Sequence, residues 1–219
     1  MSDKQQRNPI LSNLYREYLE HQDSAKFVDR VSHSYTAGTL ERMSEHPHRE
    51  IRRASVLALG MVGDYVSNHP MGRAMSDEDR TVRLIAQNGI RNIWNRAGDD
   101  RDQQALSAII RLNAVQQYRK AITASDELIE RSPWFAEAWH QRGSAQHQIK
   151  NYDEAISDCL QSLEINPYHF PAATCMGRAY MALNNGQAAL ECFRRALRVN
   201  PDLEGVRAQV IRLAKSLGE

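Results

Sequence analysis

The sequence predicts an all-α protein, a right-handed α-solenoid of antiparallel helix pairs. Three prolines, Pro133, Pro167 and Pro201, lie 34 residues apart, and a repeat of this length is typical of helical arrays. Proline is not tolerated inside a helix, so each one marks a turn where one helix pair ends and the next begins. Between the prolines the apolar residues recur with a spacing near 3.6, and no alternating run indicates a strand.

Composition and charge indicate an ordinary globular chain. Its 219 residues include 28 Lys and Arg and 27 Asp and Glu, so the excess of positive charge expected of a nucleic-acid or membrane-surface binder is missing. The polar start, MSDKQQRNPI, has no apolar signal-peptide core, and no stretch approaches the ~18 apolar residues of a membrane span. We therefore expect a cytoplasmic protein.

The first 100 residues divide into an N-terminal helix with a polar tail, residues 1–22, and a second region, residues 23–100. In the helix, Leu11, Leu14, Tyr15 and Leu19 share one side. The second region contains two similar segments, MSEHPHREIRRASVLALGMVGD and MSDEDRTVRLIAQNGIRNIWNRAGD, each a polar turn followed by an amphipathic helix that ends near Gly-Asp. These segments resemble the short bacterial HEAT-like repeat.

The HEAT-like resemblance implies which residues of the first segment are buried and which are paired. The buried face would consist of Ile51, Ala54, Val56, Leu57 and Leu59. The arginine that follows Ile51 or Val82 would pair with an aspartate in the neighbouring turn.

Residues 101–203 contain three repeats, 102–135, 136–169 and 170–203. The small and aromatic residues that recur in the second and third repeats are Trp139, Gly143, Ala155, Gly177, Tyr180, Ala189, Phe193 and Ala196. Glycine and alanine allow the paired helices to cross closely, and the aromatic side chains fill the space between neighbouring pairs. This region resembles the tetratricopeptide repeat (TPR) family.

We expect the array to end in a capping helix and to run without a flexible linker between its two regions. Residues 204–219 read as a C-terminal capping helix, with Val206, Val210, Leu213 and Leu217 in one stripe that covers the last repeat. The segment that joins the HEAT-like and TPR regions, residues 95–104, is short and contains one glycine. Because a flexible linker needs more Gly, Ser or Pro, we expect one continuous superhelix.

The TPR resemblance implies a function in protein binding and a set of contact residues. In this family, positions 2, 5, 9 and 12 of each first helix face a concave groove that suits an extended peptide or an amphipathic helix. The predicted contact residues are Gln103, Leu106, Ile110, Asn113, Glu137, His140, Ser144, His147, Thr174, Arg178 and Met181. We expect a protein or peptide partner, and leave the oligomeric state open.

One TPR subtype binds acidic C-terminal tails through a clamp of lysine, asparagine and arginine side chains. The corresponding positions in this sequence hold Leu106, Ile110, Gln141, Pro171 and Cys175. The clamp is absent, so binding of chaperone tails is not expected.

Two pairs of histidines and three cysteines are the candidate metal ligands and reactive residues, and we expect all of them to serve the fold. His140 and His147, seven residues apart on one helix, could bracket a ligand, and His46 and His48 lie beside two glutamates. We interpret the first pair as half-exposed polar residues and the second as part of a loop, with no metal or cofactor. The cysteines Cys159, Cys175 and Cys192 fit no zinc or redox spacing, which favours small buried hydrophobes over a disulfide.

Two function classes other than a binding scaffold are an accessory module of an enzyme and a nucleic-acid binder. No catalytic constellation is present in the sequence, although bilin lyases use the HEAT-like repeat, and an accessory role in a tetrapyrrole-handling system stays open by fold analogy. Several arginines of residues 49–91 could form a nucleic-acid surface, but acidic residues surround them, so pairing within the fold is favoured. We expect no enzyme activity, no nucleic-acid partner and no membrane partner.

Overall fold

A computed structural model describes residues 10–218, which form thirteen α-helices and one short 3₁₀ turn with no strand in that range. The polar tail predicted for residues 1–9 lies outside the described residues. The chain divides into two compact units, with the boundary in the sequence between Ile93 and Trp94. None of the helices within residues 10–218 has both the length and the apolar character needed to cross a bilayer.

The first unit, residues 10–93, contains six helices. They are α1 Ile10–His21, α2 Ser24–Ser34, α3 Ala37–Met43, α4 Arg49–Val62, α5 Asn68–Ala74 and α6 Arg80–Asn95, of which α6 ends in the second unit. The side chains of Asp23 and Thr36 cap α2 and α3 by accepting backbone N–H groups of the first turn.

The side chains predicted to form the buried face of α4 lie inside this unit. Ile51, Ala54, Val56 and Leu59 are buried, and Leu57 is half-buried. They supply the apolar area that holds the short helices together, since burial stabilises by about 25 cal/mol per Å².

Two arginines of α4 pair with aspartates in the turn before α6. The Arg52 guanidinium donates to both carboxylate oxygens of Asp77, at 2.7 and 2.9 Å, and Arg53 donates to both oxygens of Asp79, at 2.9 and 2.6 Å. The hydrogen bond from Arg53 is the main cause that lowers the pKa of Asp79 to about 2. Arg52, the arginine after Ile51, therefore pairs in the way that the HEAT-like resemblance implied, and Arg53 forms a second pair that the resemblance did not imply.

The second unit, residues 94–218 of the described chain, is a series of helix pairs. The helices are α7 Asp100–Ala114, α8 Tyr118–Arg131, α9 Ala136–Gln148, α10 Tyr152–Ile165, α11 Phe170–Ala182, α12 Gly186–Val199 and α13 Glu204–Leu217. The helices within each pair pack together, and each pair also packs on the next.

The turn inside each pair repeats with the 34-residue spacing of the prolines. Gln116, Lys150 and Asn184 each have a positive φ, of 61, 67 and 57° respectively. The next residue in each turn donates its N–H five residues back, to the carbonyls of Leu112, Gln146 and Tyr180, at 2.9 Å in all three. This bond pattern is that of a Schellman motif, so the three pairs close in the same way.

Close helix crossings explain the small residues of the repeats. A Cβ on Gly177 would lie 2.6 Å from the Phe193 ring, and a Cβ on Gly143 would lie 3.1 Å from the Cys159 sulfur. Phe193 is fully buried in a core that includes Ala173, Ala189 and Ala196. The glycines let the first helix of a pair lie directly against the second, as the sequence predicted.

The last helix, α13, covers part of the third pair. Val206 is buried, and Val210 and Leu213 pack against the Phe193 core. Leu217, the last residue of the predicted stripe, is 41 % exposed. The first three residues of the predicted stripe therefore pack on the last repeat, and the fourth does not.

Substituting two glycines tests the importance of the close crossing. We expect Gly177→Ala to destabilise the protein by about 1–3 kcal/mol, because the new methyl group overlaps the buried Phe193 ring. The matched control is Gly205→Ala in α13, where an added Cβ meets nothing within 4 Å. The control should be stabilising by about 0.4–1 kcal/mol. Urea unfolding monitored by circular dichroism measures both, and equal stability of the two variants would contradict the crossing.

Candidate functional site

The predicted contact residues lie on α7, α9 and α11, the first helices of the three pairs, and these helices contact one another in order. We call the face formed by the eleven predicted residues the groove. It is described within the second unit only. Its residues fall into two groups, one near the helix N-termini and one nearer the C-termini.

A buried carboxylate organises the N-terminal part of the groove. Glu137, in the first turn of α9, has a side chain only 9 % exposed. Its Oε1 accepts from Gln141 Nε2 at 2.7 Å and contacts His140 Nδ1 at 3.1 Å, while its Oε2 contacts His169 Nε2 at 2.8 Å. A carboxylate taken out of water is strongly unfavourable unless it is paired and hydrogen-bonded, and three donors satisfy this one.

His169 joins this carboxylate to the start of α11. Its Nδ1 accepts the backbone N–H of Ala172 at 3.2 Å, so His169 serves as the N-cap of the helix. A nitrogen that accepts carries no proton, which places the proton of the neutral ring on Nε2. Nε2 therefore donates to Glu137, and one imidazole links α9 to α11.

Aromatic rings enclose His169. The indole of Trp94 stacks on the imidazole with ring centroids 4.4 Å apart and an interplanar angle of 18°, and the ring of His140 lies 4.7 Å away. Trp94 also contacts Phe170 and is only 2 % exposed. These rings exclude water from the Glu137–His169 hydrogen bond, which strengthens it.

The two ionisable partners favour a charged carboxylate beside a neutral imidazole. Burial lowers the pKa of His169, and the hydrogen bond to Glu137 opposes this effect only in part. Burial alone would raise the pKa of Glu137, but the charge of His140 and the hydrogen bonds from both histidines hold it well below its usual range.

Glu137, His140 and His169 form the one group of three potential metal ligands found among residues 10–218, with donor atoms within 4.8 Å of one another. Two features of the group oppose metal binding. The carboxylate oxygens already accept from three side chains, and His169 Nε2 carries a proton because its other nitrogen caps α11. A metal at Nε2 would require the loss of that cap, so the geometry favours a structural network.

Other predicted residues of the N-terminal group are also engaged within the unit. Leu106 is 1 % exposed, and Gln103 Nε2 donates to the carbonyls of Arg96 and Gly98 at 3.0 and 3.1 Å. Thr174 donates its hydroxyl to the carbonyl of Phe170 at 2.9 Å. Of the five N-terminal residues, Leu106 and Glu137 are therefore buried, and the three half-buried ones have hydrogen-bond partners within the unit.

The C-terminal group of groove residues is more accessible. Ile110, Asn113, Ser144, His147 and Met181 are half-buried and Arg178 is exposed. Asn113 Nδ2 donates to the carbonyl and the side-chain oxygen of Gln141 at 3.0 and 2.9 Å, which links α7 to α9. We call the six residues of this group the open half of the groove.

The open half carries positive charge. Burial lowers the pKa of His147, and the nearby Arg178 guanidinium lowers it further. His147 therefore stays neutral near pH 7, and Arg178 supplies the charge. The open half contains no carboxylate, and the Glu137 charge is held in the network of the other half.

Sequence reasoning missed His169, and it predicted a packing role for Trp94 without its contact to His169. A histidine directly before the first turn of a helix is a weak capping signal that could have identified His169. The stacking of Trp94 on His169 joins residues 75 positions apart, and no local sequence pattern marks it.

Comparisons with known proteins identify the repeats. The tetratricopeptide-repeat profile matches residues 136–169 and 171–203. A "TPR repeat-containing protein" of Rhizobium etli is 31% identical over 149 residues, which cover 64% of this chain and 68% of that protein. Human "Tetratricopeptide repeat protein 12" is 29% identical over 87 residues, 40% of this chain and 12% of its own length.

A solved structure shares its fold with about half of this chain. The first TPR domain of Spaghetti (RPAP3), bound to an HSP90 peptide, superimposes with a TM-score of 0.52 and 19% identity, over 54% of this chain and 94% of that domain. At this identity the likeness concerns the fold. It agrees with an α-solenoid of helix pairs.

Replacing His169 tests its neutral state. Its pKa is lowered from the usual 6.5, so below pH 6.5 the unfolded chain takes up a proton that the folded chain does not. Stability should therefore fall as the pH drops below about 6.5, by up to about 1.4 kcal/mol per pH unit for this one group. In His169→Asn, where asparagine can still cap α11, the dependence should be shallower by up to that amount.

Urea unfolding at pH 7.0, 6.0 and 5.0 gives the slopes. The matched control is His33→Asn, which removes a solvent-exposed imidazole in the first unit. His46 and His147 contribute with the same sign, because their pKa values are also lowered by burial. An unchanged slope in His169→Asn would contradict the lowered pKa, since it would mean that His169 binds its proton equally well in the folded and unfolded chain.

Proposed function

The chain belongs to the tetratricopeptide-repeat family, and on that premise we propose that it is a non-catalytic adaptor that binds a segment of a partner protein in the open half of its groove. The observation that carries the proposal is the accessible group around Arg178 on the shared face of α7, α9 and α11. Arg178 provides a cation, while Ile110 and Met181 provide apolar surface. Such a surface suits a peptide with an acidic group next to an apolar side chain.

The relatives support a peptide ligand of this general kind. The RPAP3 domain was solved with an HSP90 peptide. In this chain the positions of a chaperone-tail clamp hold Leu106, Ile110, Gln141, Pro171 and Cys175. We therefore propose that the partner is not a chaperone tail and that Arg178 provides the main charged contact.

Further parts of the proposal concern the first unit and the cellular setting. We propose that residues 23–100 are HEAT-like repeats, that the protein acts in the cytoplasm, and that its partner is a protein rather than a nucleic acid or a membrane. The bidentate pairs of Arg52 with Asp77 and of Arg53 with Asp79 support the exclusion of nucleic acid. Guanidiniums held by carboxylates are poor phosphate ligands.

A charge reversal at Arg178 tests the proposed site. We expect Arg178→Glu to reduce partner capture by about tenfold or more, because it replaces an attractive contact with a repulsive one. The matched control is Arg198→Glu, an exposed arginine on α12, the second helix of the same repeat. The control should bind like the unmodified chain. We do not add a substitution at His140 to this test, because a carboxylate at that position would lie beside the buried Glu137 carboxylate.

Photo-crosslinking in source-cell lysate shows where the partner sits. A crosslinking residue replaces Met181 in one bait and Leu160, an exposed residue of α10, in the other. The Met181 bait should give an adduct that disappears in the Arg178→Glu background and persists with Arg198→Glu. Equal adducts from both baits, or an adduct insensitive to Arg178→Glu, would place binding outside the groove.

A further inference from the structure

We propose that the pocket between α1 and α2 binds a small carboxylic acid with a branched aliphatic side chain. The pocket lies within the first unit and has a volume of about 100 Å³. Its inner wall is apolar, and its rim contains two cations that share one carboxylate. The pocket is separate from the groove, so this inference does not depend on the proposed function.

The apolar wall of the pocket consists of Leu14, Tyr18 and Phe27. Leu14 and Phe27 are each only 3 % exposed, so they lie at the base of the pocket. The ring of Tyr18 lies against the ring of Phe27, with centroids 5.2 Å apart and an interplanar angle of 44°. Because an apolar wall gains from contact with an apolar group in place of water, the ligand carries an apolar part.

The size of the pocket limits this apolar part. A cavity of about 150 Å³ accommodates a benzene molecule, and the pocket between α1 and α2 is smaller, at about 100 Å³. A short branched chain such as an isobutyl group is smaller than a benzene ring. The structure therefore favours an aliphatic side chain over an aromatic one.

The two cations of the rim have more donors than their shared carboxylate accepts. Lys26 Nζ lies 2.5 Å from Glu17 Oε1, and Arg30 donates to Glu17 Oε2. An ammonium has three N–H donors and a guanidinium has five, so these contacts leave further donors on both cations. The Lys26 and Arg30 side chains are 54 and 45 % exposed, which makes the donors accessible to a ligand.

The second carboxylate of the rim, that of Asp23, is engaged by the helix that it caps. Asp23 is the N-cap of α2 and accepts the backbone N–H of Lys26 at 3.0 Å. The partial positive charge of the helix N-terminus offsets the charge of this carboxylate. The rim therefore favours an added acceptor beside Lys26 and Arg30. A ligand carboxylate provides it through charge-assisted hydrogen bonds, while its aliphatic chain contacts the apolar wall.

Four small compounds test the two parts of the ligand. Isovalerate has an isobutyl group and a carboxylate, isovaleramide lacks the charge, acetate lacks the branched chain, and phenylacetate has an aromatic ring instead. Each compound is titrated into the isotope-labelled full chain, and binding is measured by NMR from the amide chemical shifts of residues 14–30. Isovalerate should give saturable shifts, and the other three should bind at least about tenfold more weakly.

Two double variants with the same change in net charge test the contact with the carboxylate. Lys26→Gln with Arg30→Gln removes both cations of the rim, so isovalerate should bind at least about tenfold more weakly. The matched control, Lys120→Gln with Arg119→Gln, removes one lysine and one arginine from exposed sites on α8. The control should bind isovalerate like the unmodified chain. All four residues are exposed, so both variants should fold, which circular dichroism checks.

A peptide that ends in leucine tests whether the ligand is instead the end of a protein chain. The peptide presents the same two groups next to a backbone amide, and it should bind more weakly than isovalerate because the apolar wall offers that amide no hydrogen-bond partner. Tighter binding of the peptide would overturn a free acid as the ligand.

Three results would overturn the site itself. The first is the absence of a saturable shift with isovalerate up to about 10 mM, well above the Kd of a weak ligand. The second is equal binding of isovaleramide or acetate, and the third is unchanged binding of isovalerate to Lys26→Gln with Arg30→Gln. Equal binding of phenylacetate would overturn the preference for an aliphatic side chain.

Discussion

The buried carboxylate of Glu137 is the constraint on which the second unit depends. It accepts from Gln141 and contacts His140 on its own helix and His169 before α11, and His169 in turn caps α11 through the Ala172 N–H. Removing one partner of a buried charge costs about 3–5 kcal/mol, because the other is left uncompensated. One side chain therefore fixes the spacing of α9 and α11 and closes the N-terminal half of the groove. The open half of the groove contains Arg178. Because the other half is occupied by the Glu137 network, we propose that Arg178 and its neighbours bind the partner.

Repeated local geometry supplies the frame in which this network forms. The positive-φ residues Gln116, Lys150 and Asn184 and the identical 2.9 Å turn bonds recur every 34 residues. The close approach at Gly177 brings α11 directly onto α12. These features are periodic and set where each helix lies, whereas the residues that give the site its chemistry occur once each. Glu137 and His169 are therefore specific to particular repeats of a regular scaffold.

The features that recur in each repeat could be predicted from the sequence, and the contacts that occur only once could not. The proline spacing predicted the helix pairs, and the glycines and Phe193 predicted the close crossings. The HEAT-like resemblance implied that the arginine after Ile51 pairs with an aspartate of the neighbouring turn, which the structure shows to be Asp77. The position rule for groove residues placed Glu137 and Leu106 among the contact residues, but it could not show what packs over them, and both are buried. Trp94 and His169 meet only through the tertiary fold.

A double-mutant cycle between Glu137 and His169 tests most directly whether this buried pair holds the unit together. Glu137→Gln, His169→Asn and the double variant are unfolded in urea at pH 7, with asparagine at 169 retaining a cap for α11. The account predicts that each single change is destabilising and that the double variant loses less than the sum, with a coupling free energy of about 1–3 kcal/mol. Additive losses would contradict the account, since they would mean that the carboxylate and the imidazole stabilise the fold independently.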